Sequence, residues 1–208
     1  TTCAYCGVGC GIKATVTDAA KRIVTIQGDT EHPANFGRLC SKGSSLAETL
    51  TLEGRLLEPS INGKNVSWPT AINKVATDFQ RIIAEHGRES VAFYVSGQLL
   101  TEDYYVANKL MKGYIGTANI DTNSRLCMSS AVAGYKRSFG ADTVPASYED
   151  FDSAELIILV GSNTAWCHPI VFQRIKAIKE QRPSLKVVVI DPRETATNEI
   201  ADLHLPIK

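Results

Sequence analysis

Four of the six cysteines have a spacing that allows their thiols to meet at one metal centre. Three stand close together and the fourth follows after 29 intervening residues: Cys3, Cys6, Cys10 and Cys40. Four thiolates can ligate a 4Fe-4S cluster. Gly7, Gly9 and Gly11 fit this use, because a backbone that folds around a cluster needs positive φ angles and close approach. The pattern predicts an iron–sulfur cluster that carries electrons.

Two other uses of these cysteines stay open. A structural zinc site normally pairs two C-x2-C segments, whereas the second half here offers only Cys40. Disulfides are expected mainly in small secreted domains with a weak core. Cys127 and Cys167 stand apart from the four, and a lone cysteine is typically a small buried hydrophobic residue. For Cys167 we keep that interpretation.

The composition is that of an ordinary globular chain. Of 208 residues, 44% are hydrophobic and 21% are charged, and the 22 basic residues equal the 22 acidic ones. A nucleic-acid or lipid-surface binder is expected to show a basic patch, so we expect no nucleic acid as a partner. We also expect no membrane, since the longest apolar runs, 156–160 and 187–190, are far shorter than the roughly 20 residues that cross a bilayer.

The two ends of the sequence suggest a piece of a longer protein. The chain starts at Thr1 without an initiator Met, so we expect a trimmed N-terminus that could have carried a signal peptide. The last residues, 204–208, follow a helix and a short strand directly, with no polar tail. We interpret the whole as an N-terminal fragment.

The first part of the chain predicts a small domain around the cysteines. Residues 12–17 and 22–27 alternate between apolar and polar side chains, which is typical of a hairpin. A short helix is expected over 41–50, and turn residues at 58–59 and 62–63 place a first boundary near residue 57.

The rest of the chain predicts alternating helices and strands. Ser67 can cap a helix that has Pro69 in its first turn and ends at Gly87. Continuous apolar strands with helices between them imply a parallel sheet covered on both faces, hence an α/β fold. The further strands are expected over 91–95, 156–160 and 186–190, and the further helices over 102–114, 128–139 and 170–179.

Three segments together resemble one enzyme family. Their sequences are TCAYCGVGC at 2–10, CSKG at 40–43 and NSRLCMSSAV at 123–132. They look like the molybdopterin oxidoreductases of the dimethyl-sulfoxide-reductase superfamily. The segment 123–142 most resembles the catalytic subunits of bacterial assimilatory nitrate reductases, with periplasmic nitrate reductases and formate dehydrogenases next.

This resemblance implies three domains. A small 4Fe-4S domain with β-hairpins is expected over 1–57, and the first part of an αβα molybdopterin domain over 58–122. The first part of a Rossmann-like, dinucleotide-binding αβα domain is expected over 123–208. The fold class is then α/β in the parallel-sheet domains, and α+β when the hairpin domain is counted with them.

The resemblance also assigns metal ligands and an electron path. The four clustered cysteines match the cluster ligands, and Cys127 matches the thiolate that binds molybdenum. A soft thiolate suits a metal whose redox poise depends on its ligands. Lys42 matches the lysine that lies between cluster and pterin, so both Cys127 and Lys42 are candidate catalytic residues.

The resemblance implies contacts to the pterin cofactor from two amide side chains and from two loops. Gln98 and Asn123 match residues that hydrogen-bond the cofactor, although each alone would be a surface amide or a helix cap. Two loops that follow strands resemble the guanine-dinucleotide binding segments, where backbone N–H groups and an acidic side chain receive phosphate and ribose. These loops are Gly161-Ser162-Asn163 and Asp191-Pro192-Arg193-Glu194-Thr195.

The implied activity is the two-electron reduction of nitrate to nitrite in nitrate assimilation, in the cytoplasm. Its cofactors are a 4Fe-4S cluster and molybdenum held by bis(molybdopterin guanine dinucleotide). Its partners are nitrate and an electron donor, either a flavin-containing NADH reductase subunit, a ferredoxin or a flavodoxin. A cysteine-type formate dehydrogenase and a non-catalytic 4Fe-4S electron-transfer subunit stay open as alternatives.

Overall fold

The computed structural model describes residues 1–21 and 23–208. Arg22, with which the second predicted strand begins, lies outside the described residues. The strands, in chain order, are β1 (Ile12–Asp18), β2 (Ile23–Gly28), β3 (Ser60–Ile61), β4 (Lys64–Asn65), β5 (Phe93–Val95), β6 (Ile120–Thr122), β7 (Leu156–Val160), β8 (Lys186–Ile190) and β9 (Leu203–Leu205). The α-helices are α1 (Ser41–Ser44), α2 (Trp68–His86), α3 (Thr101–Asn108), α4 (Ser124–Phe139), α5 (Asp150–Ser153), α6 (Thr164–Cys167) and α7 (Pro169–Gln181).

The chain forms two compact units. One consists of 1–51 together with 144–208, and the other of 52–143. Residues within each unit contact one another more than they contact the other unit. The domain limits expected from sequence, 1–57, 58–122 and 123–208, stay a prediction.

The first unit begins with the predicted hairpin. β1 and β2 pair antiparallel, with Ile12 opposite Gly28 and Val16 opposite Val24. The predicted helix over 41–50 is present as α1 followed by a 3-10 turn at Leu46–Leu50. Gly28 comes so close to a neighbouring segment of the same chain that a Cβ there would lie 2.0 Å from the carbonyl oxygen of Gly37. The hairpin is thereby held tightly against the segment that leads to Cys40.

The same unit contains the predicted parallel sheet, in the order β7-β8-β9. β7 and β8 begin and end at the predicted residues, and Leu156 lies opposite Lys186. One face of the sheet packs on α7 in a core formed by Ile157, Phe172, Ile175, Leu185, Val187 and Ile200. On the other face, apolar side chains of β7 and β9 are between 42% and 64% exposed, so within the described residues only one face is covered.

The second unit is built around α2. Ser67 accepts a hydrogen bond from the Thr70 N–H and Gly87 ends the helix with φ 81°, as predicted. The turn at Asn62-Gly63 joins β3 to β4 with both φ angles positive, which is typical of a two-residue hairpin. β5 and β6 pair in parallel. The α/β fold class, with parallel sheets and small antiparallel hairpins, is therefore confirmed.

Two helices of this unit differ from prediction. The helix expected over 102–114 is α3 followed by a π-helical segment at Lys109–Ile115. α4 starts at Ser124, four residues before the predicted start at Met128. Its first turn, residues 124–127, mixes polar and apolar residues and has no side-chain cap, so the sequence pattern did not reveal it. The earlier start places Cys127 in the first turn of a helix.

Across residues 1–21 and 23–208, no helix combines the length and the apolar character that crossing a bilayer would require.

Asp202, directly before β9, connects α7 and β8 in the first unit. Its carboxylate accepts hydrogen bonds from Lys179 on α7, from the Val187 N–H at 2.8 Å and from Lys186 at 3.4 Å. The Lys179 and Val187 hydrogen bonds lower the pKa of Asp202 from its ordinary 3.8 to about 2. The ionised form therefore stabilises the folded chain.

We expect the close approach at Gly28 to exclude any side chain. Gly28→Ala should lower the free energy of unfolding by about 1–3 kcal/mol, because backbone rather than a mobile side chain stands in the way. Urea unfolding followed by circular dichroism measures this. Gly134→Ala in α4 is the control, since a Cβ there meets nothing within 4 Å, and it should stabilise by about 0.5–1 kcal/mol. Equal stability of Gly28→Ala and wild type would contradict the close packing of Gly28 against the Gly37 backbone.

The pKa of Asp202 predicts an acid-dependent contribution to stability. A lowered folded-state pKa stabilises the chain above the ordinary value of 3.8, and this contribution is lost as the pH falls through about 2. Asp202→Asn should therefore be less stable than wild type at pH 7, and the two unfolding curves should converge below about pH 4. A stability difference that stays constant with pH would show that the carboxylate charge is not involved.

Candidate functional site

The structure brings the four predicted cluster ligands to one pocket. Cys3, Cys6, Cys10 and Cys40 line a small apolar pocket together with Tyr5, Val8, Leu39, Gly43, Pro169 and Ile170. The pocket thus combines the first residues of the chain with the start of α7. Cys10 is buried, and the other three thiols are partly exposed.

Backbone hydrogen bonds shape the loop that carries three of the cysteines. The Cys3 N–H donates to the Cys10 carbonyl at 2.9 Å, which closes the loop, and Gly9 takes a positive φ of 72°. Gly11 makes a close approach to His32 rather than to the thiols, since a Cβ there would lie 2.3 Å from the His32 ring. Gly7 meets neither condition, because its φ is not positive and a Cβ would contact nothing within 4 Å.

Asn35 connects this loop to the segment that carries the fourth cysteine. Its Oδ1 accepts from the Gly11 N–H at 2.8 Å, and its Nδ2 donates to the Gly11 carbonyl at 3.1 Å and to the Arg38 carbonyl at 2.8 Å. The side chain is 2% exposed. The amide pairs with the backbone as a neighbouring strand would, so it sets the spacing between Cys10 and Cys40.

The four thiols influence one another electrostatically. Burial, and then the charges of Cys3, Cys6 and Cys40, raise the pKa of the Cys10 thiol to about 11. Forming four thiolates in this pocket therefore costs free energy unless a cationic group offsets their charge. An iron–sulfur cluster has an iron core that supplies such compensation, so the donor set fits a 4Fe-4S cluster.

The arrangement fits a cluster better than a single zinc ion. Among the described residues, no three His, Cys, Asp or Glu side chains lie close enough together to hold one metal ion. Zinc would need all four sulfurs about 2.3 Å from one point. Gly43 opens the pocket on the α1 side, because a Cβ there would lie 3.9 Å from the Cys3 sulfur. All six cysteines are free thiols in the structure, and Cys167 is exposed, so its interpretation as a buried hydrophobic residue is wrong.

Lys42 lies on α1, directly before Gly43, and its side chain is exposed. Cys40 is the residue that precedes this helix, and its carbonyl accepts from the Ser44 N–H at 2.9 Å. The helix therefore places the lysine next to the rim of the cysteine pocket. Its role beside a pterin stays a prediction.

The two predicted dinucleotide loops are neighbours at the carboxyl ends of β7 and β8. The Thr197 hydroxyl donates to Asn163 Oδ1 at 3.2 Å, which links the region after each strand. Ser162 and Thr164 hydroxyls lie 2.8 Å apart. The helix that follows Asn163 is the four-residue α6, separated from α7 at His168. The loop is therefore followed by a single helical turn, and the longer helix α7 begins only at Pro169.

Hydrogen bonds of Asp191 and Thr195 fix the second dinucleotide loop. Asp191 is 8% exposed, one of its carboxylate oxygens accepts from the Arg193 N–H at 2.9 Å, and its carbonyl lies 2.9 Å from His204 Nε2. Thr195 caps the turn at Ala196–Ile200. Pro192, Arg193 and Glu194 are exposed. Three exposed side chains thus stand on a firmly anchored loop, and their contact with a dinucleotide stays a prediction.

Gln98 and Asn123 follow the adjacent parallel strands β5 and β6. Asn123 Oδ1 accepts from the Gly97 N–H at 2.5 Å and from the Thr122 hydroxyl at 3.3 Å. The Gln98 N–H donates to the Ser96 hydroxyl at 3.1 Å. Asn123 precedes α4 without capping it through its side chain. Its amide instead ties the two loops together and places Gln98 beside it.

Cys127 lies in the first turn of α4 with an exposed side chain. Its S–H donates to the Ser124 carbonyl at 3.6 Å. This leaves the sulfur accessible to a metal approaching from solvent, so an exposed thiol of this kind fits the role of a metal ligand. The assignment to molybdenum stays a prediction.

Three residues beside the cysteine pocket were not predicted from sequence. They are Asn35, Tyr148 and Arg174. A turn signal existed for Asn35, because Pro33, Asn35 and Gly37 are turn-forming residue types. Tyr148 and Arg174 act across more than a hundred residues of sequence, and local patterns carry no information about such contacts.

Two family models match the chain. The one described as molybdopterin oxidoreductase matches residues 55–208, and the one described as molybdopterin oxidoreductase Fe4S4 domain matches residues 1–51. Together they account for nearly the whole sequence.

Curated relatives carry the name nitrate reductase. The chain is 59% identical to one from Klebsiella oxytoca over 207 residues, which are 100% of this chain and 24% of that protein. It is 54% identical to one from Shewanella frigidimarina, covering 99% and 22%. A periplasmic nitrate reductase from Desulfovibrio desulfuricans is 45% identical, covering 99% and 28%. The chain spans about a quarter of the length of these relatives.

A solved structure shows the same fold. The acetylene hydratase from Pelobacter acetylenicus superposes with a TM-score of 0.81 at 24% identity, covering all of this chain and 29% of that one. At this identity the likeness establishes the fold and nothing about the reaction.

We expect Asn35 to be required for a complete cysteine pocket. Asn35→Ala removes three hydrogen bonds to the backbone and takes away the Asn35 partner of the buried Gly11 N–H and of the Arg38 carbonyl, whereas the Gly11 carbonyl keeps the Asp29 N–H at 3.0 Å. It should therefore lower the free energy of unfolding by roughly 2–4 kcal/mol. It should also reduce the iron and acid-labile sulfide bound per chain. Asn65→Ala is the control, because Asn65 is exposed and bonds only a surface carboxylate, that of Glu58. Unchanged iron content and stability in Asn35→Ala would contradict this role.

Proposed function

This chain belongs to the molybdopterin oxidoreductase family, and on that premise we propose that it forms part of the catalytic subunit of a nitrate reductase. The observation that carries the proposal is the single pocket that collects Cys3, Cys6, Cys10 and Cys40. The names of the curated relatives support nitrate as the substrate.

The proposal includes two metal centres. Cys3, Cys6, Cys10 and Cys40 would hold a 4Fe-4S cluster, and Cys127 would bind molybdenum carried by bis(molybdopterin guanine dinucleotide). When bound, these groups supply one-electron transfer and the conversion of nitrate, two electrons and two protons into nitrite and water. The protein contributes binding, orientation and electrostatics.

The chain's own residues support this division of work. Apolar side chains line the pocket of the four thiols, and Lys42 is exposed one residue before Gly43, which belongs to that lining. The loops of Gln98 and Asn123, and those of 161–163 and 191–195, present polar groups at the carboxyl ends of parallel strands, where dinucleotides bind in open α/β sheets. We assign the protons to no side chain of this chain.

The biological setting is also part of the proposal. Resemblance to assimilatory enzymes supports a role in nitrate assimilation in the cytoplasm, with a flavin-containing NADH reductase subunit, a ferredoxin or a flavodoxin as electron donor. One of the relatives is named as a periplasmic enzyme. Fractionation of cells that express the full-length protein, followed by immunodetection, decides the compartment: recovery from the periplasm would refute the cytoplasmic assignment.

Two assays on the full-length enzyme separate the alternatives. Turnover with reduced viologen and nitrate supports the proposal, whereas oxidation of formate with viologen as acceptor would identify a formate dehydrogenase. Metal analysis tests the alternative of a non-catalytic electron-transfer subunit, because such a protein would bind iron and no molybdenum.

We expect Cys127→Ala to abolish nitrate reduction while the visible absorption of the iron–sulfur cluster stays unchanged, because the thiol and the cluster ligands are different side chains. Cys167→Ala is the matched control: this cysteine is also exposed but has no predicted ligand role, so its activity should equal that of wild type. Substantial nitrate turnover by Cys127→Ala would refute the assignment of the metal ligand.

A further inference from the structure

Tyr148 holds the cysteine loop at its centre. The Tyr148 hydroxyl donates a hydrogen bond of 2.7 Å to the carbonyl of Val8, which lies between Cys6 and Cys10 and is 3% exposed. The Tyr148 side chain also packs against the buried group formed by Val8, Cys10 and Ile170. The loop is therefore attached to a residue far away in sequence.

Arg174 stands behind this tyrosine. It lies on α7, one turn after Ile170, and its guanidinium is 5.7 Å from the centre of the Tyr148 ring and 5.5 Å from that of Phe36. It donates to the Pro33 carbonyl at 3.1 Å and lies 3.5 Å from a carboxylate oxygen of Asp152. One cation thus joins α7, α5 and the segment that leads to Cys40.

The segment under Arg174 is held in an uncommon backbone conformation. Phe36 has a positive φ of 43° although it is not glycine. This conformation costs roughly 1–2 kcal/mol, and residues of this kind concentrate at functional sites where the surroundings compensate. The stacking of Arg174 on the Phe36 ring is one such compensating contact.

The charge of Arg174 is only partly neutralised. Its side chain is 14% exposed, whereas that of its partner Asp152 is 57% exposed, so water screens the carboxylate more strongly than the guanidinium. The guanidinium is therefore the less screened charge of this ion pair, and it lies against the tyrosine that contacts the cysteine loop.

We propose that Tyr148 and Arg174 are positioning residues that hold the cysteine loop and raise the reduction potential of the 4Fe-4S cluster. Reduction adds one electron to the cluster and makes it more negative by one charge, so a fixed cation nearby stabilises the reduced form more than the oxidised form. The inference depends on the proposed cluster at the four cysteines.

The charge effect is tested by two substitutions of opposite sign. The full-length, cluster-loaded enzyme is titrated with dithionite while the reduced cluster is followed by electron paramagnetic resonance. Arg174→Gln should lower the midpoint potential by about 59 mV. For a one-electron couple this shift corresponds to a tenfold lower ratio of reduced to oxidised cluster at a fixed potential. Asp152→Asn should raise it, because the remaining cation is then unopposed.

Two further variants separate charge from shape. Arg174→Lys keeps the charge and loses the planar group that stacks on the rings, so its potential should stay close to that of wild type. Tyr148→Phe keeps the ring and removes the hydrogen bond to Val8, and it should change the shape of the resonance signal because the loop around the cluster relaxes.

The outcomes distinguish this inference from the proposed function. Wild-type enzyme without iron and sulfide would refute the cluster itself. With the cluster present, an unchanged potential in Arg174→Gln, or a shift of the same sign in Arg174→Gln and Asp152→Asn, would overturn the inference. Should Arg174→Gln fail to fold, Asp152→Asn decides alone: its potential must rise.

Discussion

The burial of Cys10 beside three other cysteines is the constraint on which the pocket depends. Cys10 is buried, and each neighbouring thiolate makes its ionisation harder. The pocket must therefore be held together by groups other than the thiols. Asn35 supplies two hydrogen bonds between the two cysteine segments, both to Gly11, and a third to Arg38 within its own segment. α1 brings Gly43 against Cys3 without adding a side chain. These contacts set the thiols in place, and the iron core would offset their charge.

Both units use parallel strands in the same way. Loops that follow adjacent parallel strands emerge at the same edge of a sheet, so residues distant in sequence become neighbours there. In one unit Thr197 links the regions after β7 and β8, and in the other Asn123 links the loops after β5 and β6. In both cases a side chain hydrogen bond, rather than further strand pairing, fixes the spacing of the loops.

The sequence predicted the elements whose signals are local. β7 and β8 are unbroken apolar runs, and α2 has a serine cap, an early proline and a terminal glycine, so their limits were correct. The start of α4 was missed because its first turn, residues 124–127, has no side-chain cap and mixes polar with apolar residues. The single turn α6 was not predicted either, whereas Pro169 marks the start of α7 within one residue of the expected position. Ligand positions followed from cysteine spacing, whereas the surroundings of the pocket depend on contacts that only the folded chain makes.

The hydrogen bond between Tyr148 and Val8 spans 140 residues, and this has a consequence for biosynthesis. The cysteine loop leaves the ribosome early, but Pro169 and Ile170, which close its pocket, are made much later. At about 5–20 residues per second, on the order of ten seconds separate the two events. During that interval the thiols stand without their enclosure, open to oxidation or to the wrong metal. Delivery of the cluster is therefore best timed after Pro169 and Ile170 have been translated, when the pocket can close around it.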